Sequence, residues 1–311
     1  MTALAVMLKS YRGDAAYARR LITSFDQNNT DALPLYVVVP AEDVTLFETF
    51  GGATATVLSE QELGRHLVRD EVHGLRPGYV NQEILKLAFA ELELADNYFC
   101  LDSDAEFIRP FTRSDFMVDA TVPFQVLVED RDLLVDPAYY AQYWQSRQAS
   151  FERIARELGL DDRVILTCHG HQVFSSIVLA SFREEFLAPR NWSYADALAV
   201  APYEFSWYNL WLQKSGAIPI HPREPWVKVF HSEGHHLEAI LRGITVTDLA
   251  RAYIAIVVNS NFSRDLGLLD LRAAKPAALA PYLSYHELAS VLGAKIADTW
   301  QRRVRRSASP S

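Results

Sequence analysis

Residues 97–108 have the sequence NYFCLDSDAEFI. A run of bulky apolar and aromatic residues ends abruptly at Asp102 and Asp104, and apolar residues resume directly afterwards. This pattern predicts a buried strand with two carboxylates at its carboxyl end, where open α/β sheets bind their ligands. Two carboxylates suit a divalent cation, which can neutralise a diphosphate. The spacing alone also allows a surface turn after a core strand.

The preceding hundred residues alternate between strand-like and helix-like patterns. Strands are predicted at 3–8, 35–40, 54–58 and 98–101, and helices at 14–28, 44–50 and 78–94. Continuous apolar strands separated by helices predict a mostly parallel sheet covered on both faces. Right-handed crossovers would then place the loop Lys9-Ser10-Tyr11 beside the segment 102–104.

After residue 111 the pattern becomes less regular. Strands are predicted at 122–128, 217–220 and 227–230, and helices at 137–158, 173–187, 207–214 and 284–306. The last helix opens with a capping box formed by Ser284 and Glu287. Its end carries four arginines within 302–306, which is typical either of a membrane-surface helix or of a solvated helix terminus.

Composition limits the class of protein. The chain has 311 residues, a net charge of −9 and two cysteines. The negative charge argues against binding nucleic acid through the overall field, and the two cysteines predict a reducing cytosol rather than a disulfide framework. No apolar run approaches membrane-spanning length, and residues 2–8 are expected to be a first strand rather than a signal peptide.

Several catalytic signatures are missing from the sequence. It contains no Gly-x-x-x-x-Gly-Lys phosphate loop, Gly-x-Gly-x-x-Gly turn, Gly-x-Ser-x-Gly elbow or His-Glu-x-x-His motif. Their absence argues against P-loop kinases, Rossmann oxidoreductases, serine hydrolases and zincins.

The helix that precedes the Asp-x-Asp carries a polar stripe. Tyr79, Gln82 and Lys86 are spaced at i, i+3 and i+7, on one helix face. An aromatic ring, an amide and a cation on one face suit a nucleotide or a sugar, although an ordinary solvated face has the same composition. If Asn81 caps the helix, Tyr79 lies in the preceding loop instead.

Two histidine-containing segments are further candidates. His231 directly follows the strand predicted at 227–230, so it is a candidate metal ligand at a strand end. The segment 167–172, TCHGHQ, places His169 and His171 before an apolar segment. No second Cys or His pair has matching spacing, which argues against a zinc site. We expect both histidines to line a substrate cleft, unless they cap a helix or lie in the core.

Residues 202–208, PYEFSWY, place Glu204 among aromatic rings. Rings stack on sugar faces and a carboxylate accepts hydrogen bonds from hydroxyls, so Glu204 and Trp207 are predicted to face a carbohydrate. An aromatic environment can also raise the pKa of a carboxyl group and favour general-base work. Alternatively, Trp207, Tyr208 and Trp211 belong to the core.

This order of features resembles the metal-dependent GT-A glycosyltransferases. The segment 231–234, HSEG, is similar to the His-x-x-Gly of their glycogenin-like and galactosyltransferase-like branch, although the Lys-Pro-Trp that follows in that branch is absent here. The chain also resembles an uncharacterised bacterial glycosyltransferase-like family with a Tyr-x-x-Gln-x-x-x-Lys-like helix before Leu-Asp-Ser-Asp. The resemblance spans roughly residues 4–236.

The resemblance implies a GT-A-like α/β fold with a mixed, mostly parallel sheet flanked by helices. It implies one domain over 1–244, with a nucleotide-binding half at 1–111 and an acceptor half at 112–244. A helical extension with a basic tail is expected at 245–311. Asp102, Asp104 and His231 would hold Mn²⁺ or Mg²⁺ against the donor diphosphate.

The implied activity is transfer of a sugar, in a hexosyltransferase-like reaction. Catalytic roles are expected for Asp104, Glu204 and His171; Glu204 is the base if the enzyme inverts, and orients a hydroxyl if it retains configuration. The expected substrate-binding residues are Lys9, Ser10, Tyr11, Gln82, Lys86, Asp102, Ser103, His169 and Trp207.

The implied partners are a UDP- or GDP-linked sugar and a carbohydrate or lipid-linked acceptor, as in bacterial surface polysaccharide or glycolipid synthesis. The protein is then expected in the cytoplasm, with its basic helix at the inner membrane face. Two rival functions are a nucleotidyltransferase of related fold, for which Lys9-Ser10-Tyr11-Arg12-Gly13 is a poor phosphate loop, and an inactive carbohydrate-binding protein, which the intact acids disfavour.

Overall fold

The computed structural model describes residues 2–127, 137–160, 167, 170–232, 235–236, 239, 242–258 and single positions between 285 and 300. The strands are β1 Ala5–Lys9, β2 Leu35–Val39, β3 Ala55–Ser59, β4 Asn97–Asp102, β5 Ala105–Phe107, β6 Val173–Ser175, β7 Val227–Phe230 and β8 Ala255–Val258. The helices are α1 Ala15–Asn28, α2 Val44–Glu48, α3 Pro77–Ala88, α4 Pro137–Leu158, α5 Ser176–Ser181, α6 Tyr194–Val200, α7 Glu204–Ser215 and α8 Val246–Leu249.

The main sheet has the strand order β3-β2-β1-β4-β6. Strands β1 to β4 pair in parallel, and β6 runs antiparallel to β4. Alternate residues of β1 belong to different cores: Ala5 and Met7 pack in one, and Val6 and Leu8 in the other, as the two-residue period of a strand requires. The expected mostly parallel sheet with covered faces is confirmed.

A second sheet has the order β5-β8-β7. Strand β8 runs antiparallel to β5 and parallel to β7. Residues 255–258, which were expected in a helical extension, are therefore the central strand of this sheet. Their apolar side chains are mostly buried, and β5 and β7 pair with their two edges. The second sheet therefore combines strands from before and after the domain boundary that was predicted at residue 244.

Three other predicted elements differ. The described part of 122–128 forms only isolated bridges, one of them at Pro123, because proline has no amide hydrogen for a ladder. Residues 217–220 form no strand either. The helix predicted at 173–187 begins as β6, continues as α5 and ends in a π-helical turn, Phe182–Leu187.

The arginines of the basic tail and the predicted capping box lie outside the described residues. Within the described part of the chain, no helix combines the length and the apolar character that crossing a membrane requires.

Candidate active site

The carboxyl ends of β1 and β4 lie side by side. Lys9 is the register partner of Asp102, and the Ser103 hydroxyl donates to the Ser10 hydroxyl at 2.9 Å and is 3.3 Å from the Lys9 carbonyl oxygen. The predicted proximity of these two loops is therefore confirmed. It follows from the parallel pairing of the two strands, since parallel strands end at the same edge of a sheet.

Asp104 lies in the turn between β4 and β5, where the chain passes from the main sheet to the second sheet. Its carbonyl oxygen accepts a hydrogen bond from the Val258 amide at 3.4 Å, and Val258 pairs with Phe230, the residue before His231. Only β8 separates β5 from β7, so their backbones are about 10 Å apart. Asp104 and His231 therefore lie at the same edge.

A cleft of about 1020 Å³ opens at this edge. Its lining contains the following predicted site residues: Lys9, Ser10, Tyr11, Gln82, Lys86, Asp102, Ser103, Asp104, His171, Glu204 and His231. His169 lies outside the described residues. The structure thus brings one cluster together from both halves of the chain.

Trp207 does not line the cleft. Its side chain is fully buried, its indole N–H donates to the Ala201 carbonyl at 3.0 Å, and its ring contacts Phe182 and Phe186. A buried tryptophan with a partner for its one polar group is a core residue. The expectation that Trp207 faces a substrate is therefore wrong.

Helix α3 presents the predicted polar stripe to the cleft. It begins at Pro77, a residue well suited to the first helical turn. Asn81 does not cap it; its side chain instead accepts from the Val68 amide at 2.8 Å and donates to the Val68 carbonyl at 3.0 Å. Tyr79 is therefore helical and, with Gln82 and Lys86, lines the cleft.

A buried lysine connects the acids of the cleft. The Lys86 ammonium lies 2.7 Å from Glu204 Oε1 and 3.0 Å from Asp102 Oδ1, and Gln82 donates to the same Asp102 oxygen at 3.4 Å. Burial opposes the charged ammonium, but the nearby acids, with Asp102 first and Glu83 second, together outweigh this and raise the pKa of Lys86. Burial would likewise raise the pKa of Asp102, but Lys86 lowers it.

Glu204 begins α7 and is buried. Its aromatic surroundings suggested a general base, yet its carboxylate pairs with Lys86. An ion pair stabilises the charged carboxylate and weakens it as a proton acceptor. The geometry therefore favours a role for Glu204 in holding or orienting a group rather than in removing a proton.

Glu83 is a cleft residue that was not singled out in the sequence. It lies on α3, four residues after Tyr79 and three before Lys86. This spacing places it on the same helix face as the polar stripe, so it could have been predicted as a cleft residue. The side chain is 4% exposed, and its Oε2 atom has no hydrogen-bond partner within the described part of the chain. Burial raises the pKa of Glu83 to about 7, against the opposing effect of Lys86.

His171 is also buried at the cleft. Burial lowers its pKa, although the Asp102 carboxylate opposes this, so the imidazole is neutral. The ring forms a hydrogen bond with the Cys100 backbone, and no described residue is a hydrogen-bond partner of its Nδ1 atom. We therefore assign the proton to Nε2 and a lone pair to Nδ1.

The β1 end of the cleft contains a second, partly buried ion pair. Lys9 lies 3.2 Å from Glu60, which follows β3, and burial lowers the pKa of Lys9. Burial and the nearby Asp102 carboxylate raise the pKa of Asp14. Lining residues not singled out in the sequence include Asp14, Glu60, Arg76, Arg147 and Tyr203. In the sequence, Asp14 and Arg76 immediately precede predicted or observed helices and Glu60 follows a strand, and these positions are the only signal that could have marked them as site residues.

The described residues of the cleft do not form a closed metal cage. Among the described residues, no group of three or more His, Cys, Asp and Glu is arranged to hold a metal. Asp102, Asp104 and His231 nevertheless face one cleft, and Mg²⁺ is usually held by one or two carboxylates together with substrate phosphates. An ion held by these side chains would therefore need further ligands, such as the oxygens of a bound phosphate.

The model of a family described as "Family of unknown function (DUF6492)" matches residues 3–221. No curated protein matches significantly. Among solved structures, the chain is similar to the apo form of mouse xyloside xylosyltransferase 1, with 11% identity, 85% of this chain and 99% of that chain covered, and a TM-score of 0.46.

Proposed function

This chain belongs to DUF6492, and we propose that it is a glycosyltransferase that moves a sugar from a nucleotide-sugar donor to an acceptor. One observation carries the proposal: Asp102 ends strand β4 of a mostly parallel sheet, Asp104 lies in the turn that follows, and both share a cleft with His231, Lys9 and Lys86. Ligands of such sheets bind at this edge. Carboxylates with cations there suit a diphosphate and its metal ion.

Asp104, Asp102 and His231 would hold Mn²⁺ or Mg²⁺. When bound, such an ion neutralises the negative charge of a departing diphosphate. Lys86 holds Oδ1 of Asp102, while the Asp102 side chain is still 36% exposed. The lysine thus keeps this carboxylate ionised and oriented toward the cleft.

The nucleotide is proposed to lie over the end of β1. Tyr11 is half exposed there, so its ring is available to stack on a base. Ser10 is held by Ser103, and Lys9 by Glu60. These contacts fix the loop before a ligand arrives, which reduces the entropy lost on binding.

The acceptor is proposed to enter beside the start of α7. Tyr203 lines the cleft there, and Arg147 lies 5.0 Å from the centre of its ring. Aromatic rings of this kind pack on sugar faces. Glu204, paired with Lys86, would accept a hydrogen bond from the acceptor hydroxyl and orient it, as expected for an enzyme that retains configuration.

The test is release of nucleotide diphosphate from UDP-glucose, UDP-galactose and GDP-mannose with Mn²⁺, Mg²⁺ or EDTA. We expect the wild type to act on at least one donor, with Asp104→Asn slowed on the order of 100-fold, since losing several kcal/mol of charge stabilisation costs that much. Asp96→Asn is the matched control, because Asp96 is exposed immediately before β4. Equal rates for Asp104→Asn and wild type would contradict the proposal, and binding without turnover would favour an inactive carbohydrate-binding protein.

A further inference from the structure

Two buried polar atoms at the cleft have no hydrogen-bond partner among the residues that the structure describes. These are Oε2 of Glu83 and Nδ1 of His171, and both side chains line the cleft. More than about nine in ten buried polar groups in proteins are satisfied. Two orphaned atoms in one cleft therefore indicate positions that a polar ligand completes.

We propose that Glu83 and His171 bind neighbouring hydroxyl groups of the transferred sugar. This inference rests on the proposed function and adds a specificity site to it. Both residues are electrostatic neighbours of Lys86 and Asp102, at the end of β4 where the diphosphate is proposed to lie. The sugar is attached directly to that diphosphate, so it is the part of the donor that reaches them.

The chemistry of the two atoms selects hydroxyl groups over phosphate. Nδ1 of neutral His171 is a hydrogen-bond acceptor because the ring bonds to the Cys100 backbone through its other nitrogen. An ionised carboxylate is also an acceptor only. Phosphate oxygens, which are acceptors too, gain nothing from Nδ1 of His171 or from ionised Glu83, whereas sugar hydroxyls can donate to both.

A hydroxyl also tolerates either protonation state of Glu83. Burial brings the pKa of this carboxyl to about 7, so the protonated and ionised forms coexist near neutral pH. A hydroxyl can accept a hydrogen bond from the protonated carboxyl and donate one to the ionised carboxylate. Helix α3 holds Glu83 one turn from Lys86, and a site on a helix is positioned more accurately than one on a loop.

The test compares each nucleotide sugar with its own nucleotide. Calorimetry with Mn²⁺ measures the dissociation constants of UDP, GDP, UDP-glucose, UDP-galactose and GDP-mannose. The ratio of nucleotide to nucleotide-sugar dissociation constants reports contacts to the sugar alone. We expect this ratio to exceed one for the preferred donor, and Glu83→Leu and His171→Leu each to reduce it about fivefold, the usual effect of one lost hydrogen bond.

Two further variants separate recognition from folding. Glu83→Gln keeps a polar group of the same shape and is expected to restore part of the ratio, and Glu157→Gln, at an exposed position of α4, is expected to leave it unchanged. If Glu83→Leu does not fold, His171→Leu and Glu83→Gln still decide the matter. A wild-type ratio of one, or a ratio that both leucine substitutions leave unchanged, overturns this inference but not the proposed function. Failure of the wild type to bind any of the probes contradicts the proposed function as well.

Discussion

The ammonium of Lys86 lies 2.7 Å from the carboxylate of Glu204, and both side chains are buried. The two residues are 118 positions apart in the chain, so this pair joins helix α3 of the first half to helix α7 of the second. Neither charge is stable alone in the interior. The pair therefore ties together the two walls of the cleft.

Replacing Lys86 by methionine is expected to destabilise the protein by about 3–5 kcal/mol, because Glu204 and Asp102 would lose a buried partner. Urea unfolding measures the change. Lys214→Met is the control, since Lys214 is exposed near the end of α7, and its effect is expected within about 0.5 kcal/mol. Equal stabilities for Lys86→Met and wild type would show that the pair does not hold the walls together.

Glu83 is expected to make stability depend on pH. Burial raises its pKa from 4.5 to about 7, so the folded state binds this proton more tightly than the unfolded state. The resulting stabilisation is complete below pH 4.5 and is lost as the pH rises through about 7. Relative to wild type, Glu83→Gln should therefore gain up to about 3 kcal/mol between pH 4.5 and pH 8. Denaturant unfolding in EDTA measures this gain, and a pH-independent difference would refute it.

Glu91 is expected to give stability the opposite dependence on pH. Burial disfavours its charge, but hydrogen bonds from His66, Arg65 and Tyr194 outweigh this and lower its pKa to about 2. The resulting stabilisation is present above pH 4.5 and is lost as the pH falls toward 2. At pH 7, Glu91→Gln should cost about 1–3 kcal/mol, while Glu93→Gln, at an exposed position, should be nearly neutral. Thermal unfolding compares them; similar melting temperatures would argue against the network.

The core position of Trp207 can be tested independently of activity. Trp207→Ala is expected to destabilise the protein by about 3–5 kcal/mol through the cavity it leaves. The affinity of the folded protein for UDP or GDP should not change, because the ring does not reach the cleft. Trp300→Ala is the control, since Trp300 is 69% exposed. If Trp207→Ala were stable and bound the nucleotide more weakly, Trp207 would be a substrate-binding residue and not a core residue.

The strands of the first half could be predicted because each is a continuous apolar run, and parallel pairing then places Lys9 beside Asp102. The polar stripe on α3 could be predicted because it depends only on the spacing of neighbouring residues along one helix. Strand β8 is also an apolar run, but its place between β5 and β7 depends on contacts between distant segments. The core position of Trp207 depends on such contacts too, and local patterns do not encode them. Glu83 was missed because its importance comes from burial without a partner, a property of the folded chain alone.

The end of β4 is proposed to hold a cation against a nucleotide diphosphate, and calorimetry of UDP and GDP with Mn²⁺ or with EDTA measures whether the cation and the nucleotide bind together. We expect at least one nucleotide to bind about tenfold or more tightly with Mn²⁺, a typical coupling between two ligands, and Asp104→Asn, but not Asp96→Asn, to abolish that gain. Nucleotide binding that is indifferent both to Mn²⁺ and to Asp104→Asn would contradict the account.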